Sequence, residues 1–192
     1  MARKREFDRE VALDGAMRLF WRKGYGACNI AELVEETGVA RYGWYIAFGD
    51  KDEVYVAALE RYREYLNRQH LDKLRAPGAD LKAIEAHFRL NLGRGPLGRS
   101  KGCFACAAAA QRADEDKRVA RVVAATFADV RSAFQSATEN AVHAGQLRDL
   151  PIDTLVEFST GAMHHLSTLL RSGARRKEIE AYIDCSLAMI AP

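Results

Sequence analysis

Proline is scarce. Four prolines in 192 residues, with few runs of β-branched side chains, leave little to break helices or favour strands, and predict an all-α fold. Long apolar runs are missing too. The longest unbroken one, Cys103 to Ala110, is far too short to span a bilayer, so no membrane partner is expected. The opening MARKREFDRE has no apolar core behind its basic residues, which argues against a signal peptide and for a cytoplasmic protein. In that compartment the four cysteines are expected as reduced thiols. Catalytic signatures are absent: no G-x-S-x-G, no H-E-x-x-H, no Glu-x-x-His pair and no G-x-x-x-x-G-K-[ST]. The expectation is a protein that is not an enzyme and needs no cofactor or metal. The net charge of +3 is too small to demand or exclude nucleic acid, so the placement of the charges decides.

Residues 29–48, NIAELVEETGVARYGWYIAF, carry the strongest pattern. Ile30, Leu33, Val34 and Thr37 recur at helical spacing. Asn29 precedes them and Glu32 follows three residues later, a capping box with Asn in place of Ser or Thr. Gly38 suits the left-handed end of that helix, and Val39 turns inward. A second helix follows from about Arg41 to Phe48, with Trp44 and Phe48 buried and Arg41, Tyr42, Gly43, Tyr45, Ile46 and Ala47 on the other face. Two short helices around a Gly-containing turn make a helix-turn-helix, which offers its second helix to the major groove.

This segment, with Phe7 to Tyr62 around it, resembles the DNA-binding domain of TetR-family transcriptional regulators. Ala12, Ala16, Leu19, Phe20, Gly24-Tyr25, Ile30, Leu33, Thr37-Gly38-Val39, Tyr45, Phe48, Asp50-Lys51, Val54, Ala57 and Leu59 carry the resemblance. It implies a helix-turn-helix domain over residues 1–50 and a helical effector-binding and dimerisation domain over 51–192, about nine helices in all. It implies a homodimer joined through its last two helices, and repression of a palindromic operator relieved by a small-molecule effector. Lys51 and Tyr45 would contact phosphate. Tyr42, Gly43 and Trp44 depart from the family's commoner residues, which bears on the operator sequence and not on docking.

The rest of the chain reads in order. Arg3, Lys4 and Arg5 form an arm that is either a solvated terminus or lies along the DNA backbone. Residues 7–23 predict a helix with Phe7, Val11, Ala12, Ala16, Leu19 and Phe20 inward, ended by Gly24. Asp50 and Glu53 box the start of a long helix over 51–74, whose free N–H groups and Lys51 suit a phosphate. Further helices are expected at 79–92, after Gly102, and at 116–144, 151–171 and 175–190. The loop 93–102, GRGPLGRSKG, is expected to be solvated. "GC" at 102–103 resembles the sixth helix of one large branch of the family.

Several residues are candidates for function. Arg41 suits the O6 and N7 acceptors of guanine, and Ile46 and Ala47 offer apolar contact to thymine methyls. With Asn29, Tyr42, Gly43, Tyr45 and Lys51 they form the expected DNA-binding set. Tyr45 is alternatively a half-buried ring without DNA contact, and Asn29 a cap only. An effector pocket is expected from Tyr62, Phe88, Phe104, Cys106, Phe127, Phe134, Met163 and His164, each of which is alternatively plain core. Leu155, Phe158, Leu166, Leu169, Ile179, Ile183 and Leu187 make the final helices apolar enough to suggest a partner subunit. The adjacent His164 and His165 cannot share a helix face and so do not chelate a metal together. Cys103 and Cys106 share a face near a helix start, which suits a thiol switch or half a metal site; core packing is the alternative.

Overall fold

The computed structural model describes residues 7–95, 98–99 and 101–192; the basic arm at Arg3–Arg5 and residues 96, 97 and 100 of the Gly-rich loop lie outside them. The regular elements among the described residues are helices but for one antiparallel pair of two-residue strands, β1 (Arg94–Gly95) and β2 (Gly98–Arg99). The helices are α1 (Arg9–Lys23), α2 (Ile30–Thr37), α3 (Arg41–Phe48), α4 (Lys51–Leu66), α5 (Asp72–Arg75), α6 (Leu81–Arg89), α7 (Phe104–Arg112), α8 (Lys117–His143), α9 (Ile152–Ser172) and α10 (Arg176–Ile190). A π turn, Asn67–Leu71, joins α4 to α5, so the expected long helix exists but carries an extra residue in its last third. The helix expected over 79–92 starts at Leu81, because Asp80 caps the Lys82 N–H, and ends in a 3-10 turn over Leu90–Leu92.

Side chains at the helix starts explain the boundaries. Asp8 accepts from the N–H groups of Glu10 and Val11, and Asp50 and Glu53 form a reciprocal capping box. Gly24, at φ 83°, closes α1. One expected core residue is misplaced: Val11 is 62% exposed, since the inward face of α1 passes through Ala12, Ala16, Leu19 and Phe20.

The interior consists of two clusters. The first joins α1–α4 to α7 and the beginning of α8, through Phe20, Trp44, Tyr55, Tyr62, Phe104 and Val119. The second joins α5, α6, the rest of α8, α9 and α10, through Leu74, Phe88, Phe134, Leu155, Leu166 and Ile183. The helix-turn-helix is therefore packed on the body by α4 and α7, and α8 is shared by both clusters.

Candidate nucleic-acid interface

The turn between α2 and α3 is built by few atoms. Asn29 and Glu32 form the expected capping box at the start of α2, and Gly38 closes it at φ 68°, ψ 8°. Thr37 then fastens the two helices. Its hydroxyl donates to the Leu33 carbonyl at 2.6 Å and accepts from Trp44 Nε1 at 3.2 Å and the Val39 N–H at 3.4 Å. Trp44 lies 4.4 Å from Phe48 between ring centroids, and both are buried. Behind them, Gly15 lets α1 approach α2: a Cβ there would stand 2.9 Å from Thr37 Cγ2. Ion pairs Arg22–Glu36, at 2.8 Å, and Lys23–Glu32 close the outside of the same joint. Sequence reasoning missed Thr37 as a clasp and Gly15 as a spacer. Grouping with Ala12 and Ala16 on the buried face of α1 is the signal that marks the latter.

With Trp44 and Phe48 turned inward, α3 presents Arg41, Tyr42, Tyr45 and Ile46 outward; Tyr42 is 73% and Ile46 63% exposed. Ala40 gives α3 no side-chain cap, so its first N–H groups stay open. Two members of the expected set sit differently. Gly43 faces the body: a Cβ there would meet Val39 Cγ1 at 3.3 Å and Phe7 Cε1 at 3.4 Å, so it serves packing and cannot reach a groove. Lys51 Nζ lies 4.0 Å above the Tyr25 ring, a cation–π contact shared with Arg112 at 4.3 Å. Reaching a phosphate would take Lys51 off that ring. Burial, and then the Asp52 carboxylate to which its hydroxyl donates, push the Tyr25 phenol up to about 12. Ala47 is half-buried against the first core, and the Asn29 oxygen is occupied by the Glu32 N–H.

A seam of polar contacts ties this head to the body. Trp21 Nε1 donates to the Gly102 carbonyl at 2.8 Å, and Arg171 donates to the Trp21 carbonyl at 2.8 Å. Gln111 accepts from the Tyr25 N–H at 3.2 Å, and Arg112 pairs with Asp52 at 3.1 Å.

The other expected groups are only partly brought together. Tyr62 and Phe104 belong to the first core and Phe88 and Phe134 to the second. Phe127 and His164 stack at 4.5 Å, whereas His165 stacks on Tyr182 at 4.8 Å on another face of α9. Four expected interface residues, Leu155, Leu166, Ile179 and Ile183, are buried in the subunit's own second core and cannot meet a partner. Leu169 and Leu187 are half-buried, and Phe158 is 39% exposed. The outward face of these helices runs instead through Phe158, Gly161, His165 and Thr168 on α9 and Ala181, Cys185, Ala188 and Met189 on α10.

Cys103 is the N-cap of α7, and its N–H donates to Ser167 Oγ. Hydrogen bonds from Cys106 and from Tyr62 lower the Cys103 thiol to about 7, against the opposing effect of burial. The Cys106 thiol is correspondingly raised. Burial pushes the lone Cys28 up to about 11, while Cys185 is exposed. Among the described residues no three His, Cys, Asp or Glu side chains converge on a metal site, and no helix is long and apolar enough to cross a membrane.

Comparison with known proteins agrees with this geometry. Residues 12–58 match the family model of bacterial regulatory proteins, tetR family. The uncharacterized HTH-type transcriptional regulator YezE of Bacillus subtilis is 26% identical over 194 residues, spanning 99% of this chain and 100% of that protein. The HTH-type transcriptional repressor ComR of Escherichia coli is 43% identical over 68 residues, 35% of this chain and 32% of that protein. A cysteine mutant of the TetR family transcriptional regulator CifR, solved with 26-base-pair operator DNA, superposes with a TM-score of 0.82 at 25% identity over 100% of both chains. A head that turns Arg41, Tyr42, Tyr45 and Ile46 outward thus carries the DNA-binding domain of the TetR family at residues 12–58, on an all-helical body with the arrangement of a TetR-family transcriptional regulator.

Proposed function

We propose that the chain is a dimeric repressor that binds a palindromic operator and is released by a small-molecule effector. The observation that carries this reading is the outward face of α3, held rigidly by the Thr37–Trp44 clasp. Residues 1–50 act as the reading head and 51–192 as the effector and dimerisation body. Two copies joined through the outward faces of α9 and α10 present two heads to half-sites about one helical turn, ~34 Å, apart or slightly more. Gly161, Ala181 and Ala188 are small enough for close approach, and Phe158 and Met189 supply apolar area. Arg41 reads guanine; Tyr42, Tyr45 and Ile46 flank it. The effector works by unequal affinity for two arrangements of the heads, and a tenfold loss of operator affinity takes about 1.4 kcal/mol of coupling. No membrane contact enters this scheme, and a cytoplasmic location fits it.

The test is binding to inverted repeats taken from DNA flanking the coding region. Arg41→Ala is expected to relax preference at one base position. Lys51→Ala is expected to weaken all sequences alike and to reduce the salt slope by about 1. Identical sequence-independent losses for both would remove Arg41 as a reader.

A second reading rests on the Cys106-to-Cys103 hydrogen bond. A peroxide would take two electrons from the thiol pair, leaving a disulfide and water, and the strain at α7 would reach the seam through Gln111 and Arg112. Operator binding that ignores both peroxide and Cys106→Ser leaves these thiols as packing.

A further inference from the structure

A ladder of edge-on rings crosses from the first core to the second. Tyr65 and His70 lie 5.5 Å apart, His70 and His87 6.5 Å, and His87 and Phe134 5.4 Å. The two imidazoles are out of place in such a setting. His87 is 8% exposed, and the Nδ1 atoms of both are buried without a hydrogen-bond partner. Thr138 Oγ1, one turn beyond Phe134 on α8, is likewise buried and unpartnered. Buried polar groups in folded proteins are almost always paired, so the Nδ1 atoms of two rings 6.5 Å apart, with the Thr138 hydroxyl on the helix that carries Phe134, call for partners.

The backbone supports the same reading. His70 lies inside the π turn Asn67–Leu71, and such turns recur at functional sites. The start of that turn is pinned. Asn67 donates to Asp129 at 2.8 Å and accepts from Arg75 at 2.7 Å, and Arg75 also holds the Asp129 carbonyl at 2.9 Å. His70 is only half-buried, which opens the site to solvent at one end.

The charges choose the ligand. The titratable groups around the imidazoles are Tyr65 on α4, Lys73 on α5 and the imidazoles themselves. Phe134 and Thr138 on α8 carry no charge, and the Asp129 carboxylate is engaged by Arg63 and Asn67. Burial first, and then the Lys73 ammonium, hold His70 below its ordinary range; burial, His70 and Lys73 hold His87 at about 4. Both rings are therefore neutral at pH 7, and the charge that acts on both is the Lys73 ammonium, which favours an anion over a second cation. Tyr65 packs on His70, Phe134 on His87 and Phe88 on Phe134, so the surroundings of the imidazoles are aromatic and suit an apolar body.

We propose that His70, His87 and Thr138 form a binding site for a small organic acid with an apolar body. The carboxylate binds with uptake of one proton from solvent, which goes to an imidazole Nδ1 and makes an imidazolium–carboxylate pair. The π turn senses occupancy through His70, and α4 carries the change to the head. This deepens the effector reading above and rests on it only for that last step.

The experiment is calorimetric titration of the full-length protein at pH 7, in two buffers of different ionisation enthalpy. The probes are benzoate and octanoate, with benzyl alcohol and octanol as neutral counterparts. At least one acid is expected to bind tenfold or more tightly than its alcohol, with about one proton taken up. His87→Gln is expected to remove that preference. Should His87→Gln fail to fold, the imidazole resonances of the parent protein decide: those of His70 or His87 are expected to move toward the imidazolium form on adding the acid. Equal affinity for acids and alcohols, no proton uptake, or unmoved resonances would overturn the site. Acid binding that leaves operator affinity unchanged would retain the site and remove its effector role.

Discussion

Replacing Thr37 by Val tests the clasp at the heart of the reading head. Valine keeps the methyl that packs beside Gly15 and removes only the hydroxyl, which accepts from Trp44 Nε1 at 3.2 Å and from the Val39 N–H at 3.4 Å. Trp44 is 1% exposed, so its indole N–H cannot turn to water instead. A buried donor left without a partner costs about 1–3 kcal/mol. The long Val39 contact adds little, so a loss of about 2 kcal/mol is expected, or roughly 4–8 °C in melting temperature for a chain of this size. Both tryptophans, Trp21 and Trp44, lie in the first core, so guanidinium denaturation followed by tryptophan fluorescence reports on the right region. Trp44→Phe removes the donor itself. The double variant Thr37→Val/Trp44→Phe should therefore be more stable than the sum of the single losses by about 1 kcal/mol. Strict additivity would refute the clasp, whatever the size of the single effects.

Two further outcomes follow from the geometry. Gly161 has open space where a Cβ would stand, so Gly161→Leu should leave the subunit folded, even slightly more helical, while blocking close approach of a partner; light scattering after gel filtration should show monomer, and an unchanged dimer would rule out this face. His87 gives the protein an acid limit. The unfolded imidazole takes its proton near 6.5 and the folded one only near 4, so between these values the unfolded chain binds more protons. The associated stability is present above 6.5 and is lost as pH falls to 4, about 1.4 kcal/mol per unit and about 3 kcal/mol in all. His87→Phe should flatten that limb of a stability-versus-pH curve; an unchanged limb would assign it to other groups.

Much of the head was legible because its determinants are local. The Asn29–Glu32 and Asp50–Glu53 boxes, the left-handed Gly38 and the inward Trp44 and Phe48 all follow from spacing within a few residues. What escaped depends on contacts distant in sequence. The π turn at Asn67–Leu71 is pinned by Asp129, 62 residues away, and no pattern inside the turn announces it. Periodicity in α9 and α10 identified an apolar face correctly but could not say whose interior it fills. Leu155, Leu166, Ile179 and Ile183 fill the subunit's own, and the outward face is made largely of small residues that hydropathy passes over. Gly43 and Lys51 fell on the expected elements, yet Phe7 and Tyr25, from elsewhere in the chain, claimed their surroundings.

The seam of Trp21, Gly102, Arg171, Gln111 and Arg112 restricts how the reading head can swing. A lever made of α4 alone would shear these bonds at every stroke. Carrying α7 along with the head would keep the Gln111 and Arg112 bonds, but it would load the bond from Arg171 on α9 and the pair of Arg63 on α4 with Asp129 on α8, so the head is braced against three helices of the body at once.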